Sequence, residues 1–351
     1  MLTLPNTASD GASLRAIVQN GPVLDLTGAH LVFTDSLTAD RFSLSARLPP
    51  VGDLFRQFWT SQTNIEIDVQ GQHGGWGGYK SVIIGKVDSL SIDPIRNTLD
   101  ICGRDLTSRL IQTPTRETFV NQTASEIAIS LAIRHGLAPD VTRSESIVGR
   151  PDASGRARVS LPHHTSTATH WDILANLARA EDFEVYVSGS TLHFHPRVES
   201  VGLINKDIDC RDLLDLHVER VLPLAERPLI AIESWNSRAE TTTRIDATLE
   251  TSSSRQQQDG LDSGTATFPI LLPNLTNADA KRLMAQYSRE ITRAQMRVMF
   301  SQAHAVDLPP RSIFRLTGTD GLDGIYKVAM LEQRFHPHRG YRQNVTAYAI
   351  D

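Results

Sequence analysis

The sequence has little of several residue types, and each shortage narrows the class of protein. It has two cysteines, Cys102 and Cys210, without CxxC spacing, so neither a zinc site nor a disulfide framework is indicated. We expect both thiols to be buried and reduced. Only five of the 35 lysines and arginines are lysines. The rigid guanidinium of arginine suits protein–protein contacts, although a genome rich in G and C produces the same bias.

Long apolar runs and strong charge of one sign are absent as well. No run approaches the roughly 20 apolar residues that cross a bilayer. The first residues, MLTLPNTASDG, lack the basic and apolar regions of a signal peptide, so we expect neither a signal peptide nor a membrane anchor. A net charge of -5 with 40% hydrophobic residues is typical of a folded protein that does not wrap nucleic acid. A length of 351 residues predicts two or three domains.

Recognisable catalytic motifs are also missing. The sequence contains no GxSxG, no GxxxxGK[ST], no GxGxxG after a strand and no HExxH. His193 and His195 flank Phe194, and they could share a metal or lie on the solvent side of a buried strand. The adjacent carboxylates Glu181 and Asp182 diverge and mark the end of a helix. We therefore predict that the chain is not an enzyme and binds no cofactor or metal.

Residues 1–110 have the alternating pattern of β-strands. Apolar residues alternate with polar ones at 42–48, 65–69 and 99–101, as expected for strands with one buried face. A short helix is predicted at 53–59. The glycine-rich stretch 71–78 separates two strands and carries Trp76, which could contact a ligand or a neighbouring subunit, or lie on a plain exposed hairpin. The pattern predicts a first β-barrel domain.

Residues 111–205 predict an α+β insertion domain. A short helix over 104–112 leads into it. Thr123 and Glu126 have capping-box spacing at the start of a second helix. A third helix begins near Thr169, buries Trp171 and continues into a hairpin that ends near His195.

Residues 206–351 predict a second β-barrel domain that contains one long helix. Strands are expected at five places: 229–235, 243–249, 312–316, 324–331 and 341–350. The polar stretch 252–264 reads as a loop. Residues 277–300 carry apolar side chains at helical spacing, from Ala280 to Val298, which predicts a helix over that whole range.

Several segments together resemble the baseplate hub family of contractile and related phage tails, the late-control D type. In chain order they are 92–94 with 103–110 (GRDLTSRL), 119–128, 135–137, 169–187 with 192–194, 234–236 (SWN), 275–276, 326–328 and 340–341. They follow the order of that family over nearly the whole chain. The stretch after Val328 reads AMLEQR and departs from the family's pattern, which has a histidine there.

The resemblance implies a fold and an assembly. Each chain would hold two tail-tube-like β-barrels and a smaller α+β domain, and three chains would form a pseudo-six-fold ring. The ring would adapt a six-fold tail tube to a three-fold central spike, because duplicating a barrel within one chain resolves the symmetry mismatch. We single out five residues as structural or interface candidates: Trp76, Arg104, Asp105, Trp171 and Trp235.

The implied partners are tail proteins. They comprise two further copies of the chain, tail-tube or distal tail proteins, a central spike and a tape measure protein, while genomic DNA would pass through the channel without specific binding. Such a protein is made in the host cytoplasm and resides in the virion.

Two alternatives remain open from the sequence. The first is the hub module of a type VI-like secretion or phage-derived injection machine. Those chains usually continue into a needle-like β-helix, and none follows before Asp351, so a separate spike is expected. The second is a tail-associated cell-wall hydrolase, for which no stretch of sequence is left over. Zymography on cell-wall substrate distinguishes the hydrolase from a structural protein.

Overall fold

The computed structural model of the chain is mainly β and divides into two compact units. The first comprises residues 1–198, 301–311 and 329–345, and the second comprises 199–300, 312–328 and 346–351. The structure describes residues 13–48, 53–72, 78–117, 119, 121–144, 147–148, 168–197, 204–225, 229–236, 240–248, 267–273, 275, 277–303, 308–336 and 340–350. Trp76 and the polar stretch 252–264 lie outside these ranges. The division into 1–110, 111–205 and 206–351 stays a prediction.

The first unit begins with a closed six-stranded antiparallel barrel. Its elements are β1 (Ser13–Val18), β2 (Val23–Thr34), β3 (Arg41–Arg47), α1 (Asp53–Ser61), β4 (Glu66–Gln72), β5 (Lys80–Asp93) and β6 (Thr98–Asp105). The strands follow the order β1-β4-β5-β6-β3-β2, and pairing of β1 with β2 closes the barrel. Alternation of the side chains buries Leu44, Ile67 and Ile101, which confirms the predicted strands and their buried face.

One position in the barrel wall requires glycine because the ring of Phe42 lies against it. A Cβ on Gly103 would come within 2.3 Å of both the Lys86 carbonyl oxygen and the Phe42 ring. The carbonyl belongs to the neighbouring strand, so the clash cannot be relieved by a side-chain rotation. The barrel therefore depends on a bare backbone at this point.

We expect Gly103→Ala to lower the free energy of unfolding by roughly 1–3 kcal/mol, because overpacking forces strands apart. Chemical denaturation measures the change. Gly78→Ala is the matched control, since no atom lies within 4 Å of its added Cβ. Equal stabilities of the two variants would show that the contact around Phe42 relaxes freely.

The α+β part of the first unit packs three helices on a small sheet. Its elements are α2 (Thr107–Ile111), β7 (Pro114–Thr115), β8 (Gln122–Thr123), α3 (Ala124–Arg134), β9 (Ala138–Val141), β10 (Ile147–Val148), β11 (Ala168–Thr169), α4 (His170–Glu181), β12 (Phe183–Ser188) and β13 (Thr191–Pro196). The sheet has the order β12-β13-β9, with β13 parallel to β9. Thr123 forms the predicted capping box, and Thr169, the predicted start of the third helix, forms a second capping box with Asp172.

The predicted helix over 104–112 is shorter than expected. Arg104 and Asp105 are the last two residues of β6, where they pair with Lys86 and Gly85 of β5. The helix begins only at Thr107. The ladder to β5 holds these residues extended and outweighs their local helical preference.

The remaining elements run from β14 to β22. They are β14 (Ile204–Asp209), a short 3-10 helix (Cys210–Asp212), β15 (Asp215–Arg220), α5 (Leu222–Ala225), β16 (Leu229–Asn236), β17 (Thr241–Thr248), β18 (Thr267–Leu271), α6 (Asn277–Gln295), β19 (Met296–Gln302), β20 (Ile313–Thr317), β21 (Gly324–His336) and β22 (Gly340–Ala349). Six strands follow the order β14-β20-β21-β22-β19-β15. A separate sheet, β17-β16-β18, packs its apolar face on α6.

The predicted helix over 277–300 is wrong in its last turn. It ends at Gln295, and Met296 begins β19. Val298 and Phe300 are fully buried on one face of that strand, while Arg297 before them is exposed and Met299 between them is only half-buried. An apolar residue at every second position fits a strand better than a helix, and pairing in the sheet decides the outcome.

The cysteines also differ from expectation. Both are free thiols, but Cys102 is exposed and Cys210 is only half-buried. Cys102 alternates with buried Ile101 along β6, so it faces outward from the barrel.

Among the described helices, none is long and apolar enough to cross a membrane.

Candidate functional site

The Gly-Arg-Asp segment at the end of β6 introduces a buried carboxylate. Asp105 is 3% exposed. Its backbone N–H donates to the Asp40 carbonyl oxygen at 3.0 Å, and its Oδ1 accepts from the Thr107 N–H at 3.1 Å. This side chain therefore fixes the turn from β6 into α2, in the manner of a helix cap.

Asp40, the residue just before β3, is the second buried carboxylate of the cluster. The Arg311 Nη2 donates to Asp40 Oδ2 at 2.8 Å and to Oδ1 at 3.0 Å. The Thr34 N–H also donates to Asp40 Oδ1, at 2.8 Å. The Arg311 Nε donates to the Asp35 carbonyl oxygen at 2.8 Å. With 5% and 10% of their side chains exposed, Asp40 and Arg311 form a buried ion pair.

Arg311 also connects the barrel to the α+β part of the same unit. Its guanidinium lies 4.2 Å from the centre of the Tyr186 ring on β12, a cation–π contact. Beside it, the Leu37 N–H donates to the Val185 carbonyl oxygen at 2.9 Å. Arg311 has a φ of 67°, an uncommon value for a residue other than glycine. One side chain thus joins the β2–β3 loop, β12 and the segment before β20.

The charges in this cluster do not balance, because two carboxylates share one cation. Burial, together with the charge of Asp40, raises the pKa of Asp105 to about 7. Burial also raises the pKa of Asp40, although Arg311 opposes the shift. Folded Asp105 therefore keeps its proton up to about pH 7, whereas the unfolded chain releases it near pH 4.

We expect the protein to lose stability as the pH rises from about 4 to 7, because only the folded state binds this proton in that window. Asp105→Asn mimics the neutral acid and should flatten the pH profile. The variant should match the wild type below about pH 4, exceed it modestly at pH 5 and exceed it at pH 8 by up to about 4 kcal/mol. Urea denaturation across this pH range measures the difference, and parallel profiles would contradict an ionisable Asp105.

Arg104, the neighbour of Asp105, has a different role. It points to the outer face of the barrel and pairs in bidentate fashion with Asp88, at 2.6 and 2.8 Å. The hydrogen bond to Asp88 raises the pKa of Arg104 further, so it stays charged. The pair links β6 to β5 across the barrel wall, as a cross-strand pair of opposite charge does.

The predicted tryptophans differ in their surroundings. Trp171 lies on α4 and is 6% exposed, within the apolar core of the α+β part. Trp235 lies on β16 and is 52% exposed. The first is a structural core residue in this structure, whereas an interface role for Trp235 stays a prediction.

His193 and His195 are half-buried rather than freely exposed, because Tyr186 covers them. The His193 ring stacks on Tyr186 with 4.7 Å between centroids, and its Nδ1 lies 2.7 Å from an Asp140 carboxylate oxygen. Tyr186 Oη lies 3.3 Å from His195 Nε2. Within the described ranges, no group of three or more His, Cys, Asp or Glu side chains is placed to hold a metal ion.

A second histidine pair was not singled out from the sequence. His135 Nε2 and His170 Nδ1 are 2.7 Å apart at the junction of α3 and α4. Burial lowers the pKa of both rings, so the neutral forms are favoured. One ring must then donate to the other, which makes the pair a packing contact between two helices.

Comparison by sequence gives no assignment. No protein-family model matches the chain. No curated protein shows significant sequence similarity to it.

Solved structures, in contrast, share the fold. A tail protein from Neisseria meningitidis MC58 aligns over 96% of both chains with a TM-score of 0.70 and 10% identity. The 43 kDa tail protein of prophage MuSo2 from Shewanella oneidensis aligns over 97% of this chain and 100% of its own, with a TM-score of 0.69 and 13% identity. The chain therefore has the fold of phage tail proteins over nearly its whole length.

A third structure has a lower TM-score, 0.52. It is the E. coli c3393 protein, a component of the type VI secretion system with structural similarity to the T4 tail proteins gp27 and gp5. It aligns over 96% of this chain and 77% of its own, with 10% identity. At such identities the likeness concerns the fold.

Proposed function

We propose that this chain is a structural hub of a phage tail baseplate. Three copies form a ring that adapts the six-fold tail tube to a three-fold central spike and leaves a channel for DNA. Its partners are tail-tube or distal tail proteins, the spike and a tape measure protein, and it acts without catalysis. The protein resides in the virion after synthesis in the host cytoplasm.

The observation that carries this proposal is the full-length match to two tail proteins. The alignments leave almost no part of either chain unmatched, so the correspondence is not limited to one common barrel. The chain adds its own support, because a closed six-stranded barrel and a second set of six strands occur in one polypeptide.

The internal charges support a rigid structural part rather than a reacting centre. Arg311 pairs with Asp40 and lies over the Tyr186 ring, and the backbone N–H of Asp105 donates to the Asp40 carbonyl oxygen. The side chains of Asp40 and Arg311 are 5% and 10% exposed, and Asp105 is 3% exposed. A pair of buried acids with raised pKa values can also mark a catalytic site. Here the cluster fixes the barrel against the α+β part, and this rigidity suits a component of a larger assembly.

A secretion machine is the second candidate. The c3393 protein belongs to the type VI secretion system, and it aligns with 96% of this chain. The hub module of a phage-derived injection machine would have the same fold. Co-purification with a tail tube from induced phage particles, but not with a secretion apparatus, favours the tail.

Mass in solution tests the ring. We expect sedimentation equilibrium to give three copies of the 38.8-kDa chain, about 116 kDa. Stable hub interfaces bury well over ~1,000 Å², so the trimer should persist at micromolar concentration. A strict monomer at high concentration contradicts the proposed ring.

A further inference from the structure

A cleft opens on the outer face of the first unit, where β3, β2, β21 and β22 lie side by side. Its volume is about 690 Å³, within the range of sites that hold small molecules. All of its lining residues belong to the first unit. Because β2 and β21 each have a paired strand on both sides, a ligand in the cleft meets side chains and not an open strand edge.

The polar side chains of the cleft come from four strands. They are Ser43, Ser45, His30, Arg334, His336 and Arg342. Ser43, His30 and Arg334 form one row of paired neighbours across β3, β2 and β21. Ser45 pairs with Gly28 two positions along, on the same face of the sheet. Among the described lining residues none is acidic, so the cleft is cationic.

Gly28 forms part of the cleft wall without a side chain. A Cβ there would lie 3.6 Å from the Ser45 Cβ and 3.9 Å from the Phe335 carbonyl oxygen, which are ordinary contact distances. The backbone of Gly28 is also outside the left-handed region. Neither packing nor conformation requires glycine at this position, in contrast to Gly103 in the barrel wall. The missing side chain instead leaves space between the two rows.

The two arginines are oriented by single neighbours. Arg334 is 58% exposed, and its Nη2 lies 3.2 Å from the Glu332 carboxylate outside the lining. Arg342 Nη2 donates to Ser301 Oγ at 3.1 Å. A guanidinium has five N–H donors, so the contact with Glu332 orients the fork of Arg334 without using all of its donors. Two such forks facing one cleft suit an oxyanion.

We propose that this cleft binds a phosphorylated saccharide, whose phosphate contacts the two arginines and whose hydroxyls contact the serines and histidines. A phosphate ester presents three terminal oxygens, enough for two guanidinium forks, whereas a carboxylate fills one. The cleft is larger than a phosphate alone requires. An acidic peptide fits less well, because the paired strands offer its backbone no edge. A nucleic acid is disfavoured by the net charge of -5.

Titration calorimetry in phosphate-free buffer, with glucose 6-phosphate as the probe, tests the arginines. We expect the wild type to bind it, and Arg334→Gln and Arg342→Gln each to weaken binding by at least about tenfold, since hydrogen bonds between charged groups are strong. Arg96→Gln is the matched control, because Arg96 is 82% exposed and pairs with one carboxylate, Asp93, outside the cleft. A wild type that does not bind, or cleft variants that bind as tightly as Arg96→Gln, overturns the proposal.

Substitution of Gly28 tests the position of the ligand without removing a charge. We expect Gly28→Leu to fill the space between the rows and to weaken binding by at least about tenfold, because the ligand loses room for its contacts. Gly28→Ala adds a single carbon at ordinary contact distances and should bind nearly as tightly as the wild type. Circular dichroism and thermal melting check that both variants fold. Full binding by a folded Gly28→Leu variant overturns the assignment to this cleft.

Further probes identify the class of ligand. Glucose, glucuronate and inorganic phosphate should each bind more weakly than glucose 6-phosphate, and equal binding of any one of them overturns the phosphorylated saccharide. A short 5′-phosphorylated oligothymidine that binds more tightly than glucose 6-phosphate, and loses binding with Arg334→Gln, makes the cleft a nucleic-acid site and overturns the saccharide. The inference goes beyond the proposed hub and does not rest on it, because these measurements do not depend on whether three copies form a ring.

Discussion

Replacing Trp171 with alanine is expected to lower the free energy of unfolding by roughly 3–5 kcal/mol. Trp171 stands in the first turn of α4 and is 6% exposed, within the core built from α2, α3, α4 and the small sheet. Removing the indole leaves a cavity that the packed helices cannot fill. Urea denaturation followed by fluorescence and circular dichroism measures the loss.

The matched control is Trp235→Ala. Trp235 is 52% exposed on β16, so its truncation removes less buried surface, and we expect a loss of less than about 1 kcal/mol in the isolated protein. Equal effects of the two changes would contradict the core position of Trp171. A stable Trp171→Ala variant would mean that the α+β part does not depend on this side chain.

Arg311→Met is expected to cost roughly 3–5 kcal/mol at pH 8, because it leaves the buried carboxylate of Asp40 without its cation. The effect should shrink at pH 5. Burial already raises the pKa of Asp40, and removal of Arg311 raises it further, so the carboxyl takes up a proton and the unpaired charge disappears. Chemical denaturation at the two pH values measures both parts of the prediction.

Arg104→Met provides the control for a lost ion pair of another kind. The Arg104–Asp88 pair lies on the outer face of the barrel, with 28% and 29% of the two side chains exposed, so water replaces part of the lost contact. We expect a loss near 1 kcal/mol that varies little between pH 5 and pH 8. A pH-independent loss in Arg311→Met, or equal losses in both variants, would contradict the buried pair.

Sequence patterns predicted those parts of the fold that depend on neighbouring residues. The alternation around Phe42 and Ile67 identifies barrel strands, because a strand with one buried face needs it. The capping boxes at Thr123 and Thr169 fix two helix starts, because the cap and its partner are three residues apart. Each of these signals involves only residues a few positions apart, so it can be recognised from the sequence alone.

The parts that sequence reasoning missed depend on distant residues. Nothing near Arg311 indicates that it pairs with Asp40, 271 positions away, or that it covers Tyr186. The Asp-Leu-Thr segment at 105–107 stands out in the sequence only by its resemblance to the hub family. The burial of Asp105 depends on three-dimensional packing, which no local pattern indicates. The predicted end of α6 is wrong because Val298 continues the helical stripe from Ala294 and also shares the buried face of a strand with Phe300, and the pairing of β19 decides between the two.

The central claim, that three copies of this chain form a hub ring, is tested most directly by electron microscopy of the isolated protein. A hub ring of three copies should give class averages with three-fold symmetry, a central opening and six similar lobes. Particles of one chain at all concentrations, or a closed ring of another symmetry, would contradict it.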